Sequence, residues 1–173
     1  MVGLKVWSAV AAGIIGITMF TASAPILAQG GDTVLKPADA EKLLPPSVFY
    51  RGQSATTQVR NSGGVKFADG YYVLSSLVDT SGYSTAVAAK YQAYFINEVP
   101  IKIGGHRLSP GAYGVGFIAG SKFVVTDLGA HDVFTVSSTA DSAIKRPMPL
   151  QVLADPVHGF RLYAGRQYVV FER

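Results

Sequence analysis

The chain has 173 residues, 49% of them hydrophobic and only 15% charged, with a formal net charge of +4; this is material for one compact domain and too apolar to stay disordered. Cysteine is absent, which excludes a disulfide framework, thiolate metal sites, cysteine nucleophiles and a lipidated cysteine. The 19 glycines and 9 prolines follow no fixed period, so a collagen-like fibre is excluded and a turn-rich β globule is expected.

The N-terminus reads as an export signal. Lys5 and the α-amine precede residues 6–20, a largely apolar stretch without charge, which is the polarity and length of a signal-peptide core. Two small-residue cleavage sites follow, Ala22-Ser23-Ala24 and Ile26-Leu27-Ala28. Pro25 would stand directly after the first cut, so cleavage is expected after Ala28, with residues 1–28 as signal peptide and a periplasmic or extracellular destination. The competing reading is an uncleaved anchor, because the charge-free run continues to Gly31 and is long enough to span a bilayer. Only under that reading is the membrane a partner. The basic excess is mild and its longest block is Lys145-Arg146, so no nucleic-acid partner is expected.

Residues 29–46 read as a polar leader, with Pro37 and Asp39 suited to the start of a short helix over 37–44 and Pro45-Pro46 ending it. Residues 47–173 read as the β-rich domain. Strands are predicted over 54–60, 65–67 and 71–79, the last two joined by Ala68-Asp69-Gly70, where Asp69-Gly70 suits a hairpin because both positions tolerate positive φ. Residues 81–90 read as loop or brief helix and 91–98 as a buried strand. Short strands follow at 101–103, 112–118, 122–128, 133–138, 150–154, 160–163 and 167–171, separated by Gly, Pro and Asp turn signals. The expected fold class is all-β: an antiparallel β-sandwich or jelly-roll-like barrel of about ten short strands.

The segment Leu108-Ser109-Pro110-Gly111-Ala112-Tyr113, preceded by Val99-Pro100-Ile101-Lys102-Ile103-Gly104-Gly105 and followed by Gly114-Val115-Gly116-Phe117, resembles the L-x-P-G-x-Y strand opening of exported bacterial β-sandwich proteins, among them uncharacterised periplasmic families and transthyretin-like or carboxypeptidase-regulatory-like modules. The resemblance covers about 20 residues. It implies a sandwich fold and brings no catalytic residue with it.

Chemistry-bearing residues are sparse. His106, His131 and His158 each stand beside a predicted turn, so a three-histidine metal site with Asp127 or Asp132 behind it is one expectation, although H-x-H and H-E-x-x-H spacings are absent. His131-Asp132 suggests a hydrolytic triad only in outline, because no G-x-S-x-G is present. Glu41, Glu98 and Glu172 are the only glutamates, too few and scattered for paired-carboxylate chemistry. Glycines 114 and 116 lack the helix and the Lys-Ser/Thr of a phosphate loop. Alternating with Tyr113, Val115 and Phe117, they mark a strand face that another surface approaches closely. Tyrosines supply flat rings with polar tips, and Tyr83 and Tyr113 are the candidate ligand-binding residues. The expected function is an exported, non-enzymatic binding or envelope-interaction module, with an envelope protein or glycan as partner and no cofactor. The alternative is a metal-binding protein or metal-dependent hydrolase built on the three histidines.

Overall fold

The computed structural model describes residues 31–173, and the expected signal peptide and its cleavage site lie outside them. In chain order the elements are strand β1 (Thr33–Leu35), helix α1 (Pro37–Ala40), β2 (Ser47–Tyr50), β3 (Gln53–Lys66), β4 (Tyr72–Val78), helix α2 (Thr85–Lys90), β5 (Ala93–Asn97), β6 (Ile101–Ile103), β7 (His106–Leu108), β8 (Gly111–Ile118), β9 (Lys122–Thr126), β10 (Asp132–Ser137), β11 (Thr139–Ala140), β12 (Gln151–Ala154), β13 (Phe160–Ala164) and β14 (Gln167–Glu172).

The strands form two sheets with antiparallel pairing throughout. An eight-stranded sheet runs β1-β3-β4-β5-β8-β9-β10 with β2 paired to β3, and a six-stranded sheet runs β12-β13-β14-β6-β7 with β11 paired to β14. Both are open sheets, so the molecule is a sandwich and the closed-barrel alternative is set aside. Between them lies the main core: Val65, Val73, Phe95, Val115, Phe123 and Val125 from one sheet meet Ile101, Ile103, Leu108, Leu162, Val169 and Phe171 from the other. Alternation along each strand delivers these side chains to one face.

The eight-stranded sheet is covered on its other face as well. Val48, Tyr50, Val87 and Tyr91 form a second cluster there with Ala55 and Val78, and helix α1 contributes Ala40 to a third with Leu44 and Leu74. Double coverage explains why β4 reads Val-Leu-Ser-Ser-Leu-Val without clean alternation: residues 73–76 are all buried.

Two features depart from the sequence reading. Part of the supposed leader belongs to the sheet, since β1 pairs with Gly64, Val65 and Lys66 of β3. The strands predicted over 54–60 and 65–67 are one 14-residue strand, with an irregularity between Gln58 and Ser62 and regular pairing with β4 through Gly63-Gly64. At Gly64 a Cβ would lie 2.3 Å from the Val73 carbonyl oxygen, so the glycine allows a close approach of the two strands. The 68–70 turn forms as expected, with Gly70 at positive φ, +93°. Gly70 N–H donates to the Phe67 carbonyl and Phe67 N–H to the Tyr71 carbonyl, the geometry of a three-residue hairpin loop closing on a left-handed glycine.

Among the described residues no helix is long and apolar enough to cross a membrane.

Candidate functional site

The outer face of the eight-stranded sheet is shaped by missing side chains. A Cβ at Gly114 would meet Tyr50, Thr126 and Tyr91 at 2.6–2.8 Å, and one at Gly116 would lie 2.3 Å from the Lys90 carbonyl oxygen. These two glycines let β2 and α2 settle directly on β8, the close approach that their alternation implied. Tyr50 and Tyr91 stack there with ring centroids 3.6 Å apart, and Tyr83 meets both edge-on. The Tyr50 hydroxyl donates to Thr126 Oγ1 at 2.8 Å, which donates to the Gly114 carbonyl at 3.0 Å. Burial raises the hydroxyl pKa of Tyr50, Tyr83, Tyr91 and Tyr94 above the ordinary tyrosine value, because the phenolate would lose its hydration. Among the described residues the buried Tyr91 hydroxyl has no hydrogen-bond partner.

Over this tyrosine floor stands the two-residue turn joining β2 to β3. Arg51 and Gly52 both take positive φ, +47° and +81°, as a type I′ turn requires. Glycine and asparagine enter that region readily, whereas arginine does so at a cost of about 1 kcal/mol. The turn is pinned: Arg51 N–H donates to the Leu128 carbonyl at 2.8 Å, and the Tyr83 hydroxyl donates to the Tyr50 carbonyl at 3.0 Å. Leu128 belongs to the β9–β10 loop, which holds a second strained residue, Ala130 at φ +70°.

Two depressions flank Arg51. One, about 370 Å³, lies between the turn and the segment before α2, against Gln53, Tyr83 and Ser84. The other, about 210 Å³, lies against Tyr50, Val87, Lys90 and Ala130. Among the described residues, the neighbouring charged side chains other than Arg51 have partners. Lys90 Nζ holds Asp132 at 2.6 Å, and Asp127 accepts from the His131 N–H at 2.9 Å and contacts His131 Nδ1 at 3.0 Å. The His131 backbone N–H, with its ring second, holds the Asp127 carboxyl below the usual carboxylate range. Among the described residues Arg51 has no ion pair.

The predicted site residues separate. Tyr83 belongs to this cleft. Tyr113 lies on the opposite, inner face, packed against the main core, and its hydroxyl donates to the Ser109 carbonyl at 3.0 Å. Asn97 Nδ2 donates to the same carbonyl, so the tyrosine of the L-x-P-G-x-Y segment secures its own turn. His106 stacks on Phe134, His131 engages Asp127, and His158 Nε2 contacts Glu172 at 3.0 Å. Each histidine thus has its own partner, and among the described residues no group of three His, Asp or Glu could hold a metal ion. The carboxylate behind His131 is Asp127; Asp132, the sequence neighbour, is taken by Lys90.

Sequence reasoning passed over Arg51. Its one signal was the Arg51-Gly52 dipeptide between Ser47–Tyr50 and the next strand, and arginine is a poor marker for a turn that needs positive φ.

A larger groove of about 450 Å³ crosses the outer face of the six-stranded sheet beside Val157, Val170 and His158. Its polar groups engage one another, since Glu172 contacts His158 Nε2 at 3.0 Å and Lys102 Nζ at 3.7 Å. Nearby, Arg161 is clamped by Asp155 at 2.6 Å and Asp141 at 3.6 Å and stacks over Tyr168, holding the loop after β11 against the sheet.

Fold and cleft together define an all-β sandwich with a polar depression around one unpaired cation. Compared with protein-family models, curated proteins and solved structures, the chain matches none.

Proposed function

We propose that the chain is an exported, non-enzymatic β-sandwich binding module, and that its ligand sits in the cleft around Arg51. The observation that supports this reading is the placement of an unpaired arginine at a strained, pinned turn between two depressions. Strained backbone persists where the surroundings over-determine it, and such positions gather at binding sites. A rigid base also lowers the ordering cost of binding.

Two measurements test the two halves. For export, protein purified from its native envelope is expected to begin at Gln29 and to show tyrosine emission without a tryptophan band, because Trp7, the only tryptophan, lies within residues 1–28. Retained tryptophan emission together with a need for detergent would favour the anchor reading. For binding, the immobilised protein is expected to retain a component of an envelope extract that the Arg51→Gln variant releases; equal retention by both moves the ligand away from this cleft.

One observation favours the metal reading: a carboxylate on His131 Nδ1 is the arrangement that orients metal-ligating histidines. Metal analysis of the natively purified protein checks it. Stoichiometric zinc or copper, lost on replacing His106, His131 and His158, would favour that alternative over the first.

A further inference from the structure

We propose that the Arg51 cleft takes an acidic saccharide, a sugar bearing a carboxylate, with the carboxylate on the Arg51 guanidinium and the hydroxyls on Gln53, Ser84 and the neighbouring backbone. The proposal rests on the binding reading of the same cleft and names its ligand class.

The charge argument comes first. No acidic side chain lines either depression, and the carboxylates flanking the β9–β10 loop have partners of their own, Asp132 the Lys90 ammonium and Asp127 the His131 N–H. The guanidinium is therefore a cation without a counter-ion, and its planar fork of donors fits a carboxylate with two parallel hydrogen bonds.

The remaining wall is uncharged and hydrogen-bonding. Gln53 Nε2 donates to the Gly82 carbonyl at 3.0 Å, which leaves its amide oxygen as an acceptor. Ser84 precedes α2 without a side-chain capping bond, so its hydroxyl is free to donate or accept. Tyr83 adds an aromatic surface whose own hydroxyl is already committed to Tyr50. A strongly apolar ligand would leave these groups unpaired, whereas a polyol satisfies them. At about 370 Å³ the depression reaches the lower part of the roughly 300–1,000 Å³ range of small-molecule sites.

The backbone gives an independent reason to look at Arg51. Glycine at this position would relieve the left-handed strain, so arginine is kept here at a conformational cost. A ligand-binding role accounts for both the residue and its conformation.

Protein exported by and purified from its native host is titrated calorimetrically with D-glucuronate, with D-glucose as the neutral match and with acetate as the anion alone. Glucuronate is expected to bind at least about tenfold more tightly than either, a difference of about 1.4 kcal/mol. Arg51→Gln is expected to reduce glucuronate affinity to the glucose level with an unchanged melting temperature. Arg51→Gly is expected to lose the same affinity while melting about 2–4 °C higher. Ser84→Ala is expected to weaken glucuronate and leave acetate unaffected. Equal affinity for glucose and glucuronate, equal affinity for acetate and glucuronate, or undiminished binding by Arg51→Gln overturns the proposal. If glucuronate does not bind while an envelope component is still released by Arg51→Gln, the acidic-saccharide proposal falls and the binding reading stands; if neither is seen, both fall.

Discussion

On the inner face of the eight-stranded sheet, Phe95, Val115, Phe123 and Val125 interdigitate with the aliphatic and aromatic side chains of the six-stranded sheet. On the outer face of the same strands, Gly114 and Gly116 carry no side chain at all, and the space is filled from above by Tyr50, Tyr91 and the backbone of Lys90. The inner contact is held by volume contributed from both sides. The outer contact is held by volume withheld from one side, and it includes hydroxyls, one of them orphaned. The difference shows why the candidate site is on the outer face: a packed hydrocarbon layer offers nothing to a polar ligand, while a cap settled on glycines leaves polar turns at its rim.

The largest expected effect tests the inner face. Phe123, fully buried between the sheets, is expected to cost about 3–5 kcal/mol on Phe123→Ala, through lost burial and the cavity left behind; urea unfolding measures it, and a cost below about 1 kcal/mol would mean that the sheets are not packed through this residue. On the outer face the opposite change is damaging. Gly116→Ala drives a Cβ into the Lys90 carbonyl, and overpacking of this kind costs about 1–3 kcal/mol. Its signature is a looser α2, read as faster amide exchange at Tyr91, whose N–H donates to the Val87 carbonyl. If exchange there is unchanged, the glycine face is not what seats the cap.

Gly70 separates space from conformation. A Cβ there would meet nothing within 4 Å, so Gly70→Val isolates the strain of its positive φ and is expected to cost about 1 kcal/mol. An unchanged melting temperature would show that the hairpin loop adapts without cost.

The smallest pair concerns the stacked tyrosines. Tyr50→Phe removes the donor to Thr126 and is expected to destabilise by about 1 kcal/mol, whereas Tyr91→Phe removes a buried hydroxyl that has no partner and is expected to be neutral or slightly stabilising. The same residues set the alkaline limit. Burial raises the folded-state pKa of Tyr50, Tyr91 and Tyr94, so unfolded tyrosines release their protons first. Stability is therefore full below the ordinary tyrosine value near pH 10 and falls as pH climbs above it. Denaturant midpoints measured between about pH 8 and about pH 11 are expected to show this fall, and Tyr91→Phe is expected to make it shallower.

The turns and most strands were legible because they depend on near neighbours. Asp69-Gly70 marked the β3–β4 hairpin, and the alternation of Gly114 and Gly116 with larger residues marked a face that something approaches closely. Short elements were harder. β1 and β2 have three and four residues, too few for a pattern, and they are strands because β3 offers them a partner edge. The candidate site was legible only at Tyr83. Tyr113 and the three histidines were residues of the right chemistry whose partners sequence could not assign.

By itself the sequence determined an all-β chain, its turns and the glycine face, since side-chain period and backbone preference act over a few residues. Tertiary structure alone decided which polar groups are spent and which are free. Tyr50 meets Thr126, Lys90 meets Asp132 and Arg51 meets Leu128 across long stretches of chain, and Arg51 is left without a counter-ion only after those pairings are made. Charge and hydrogen-bond satisfaction depend on distance in space, which a linear pattern does not contain.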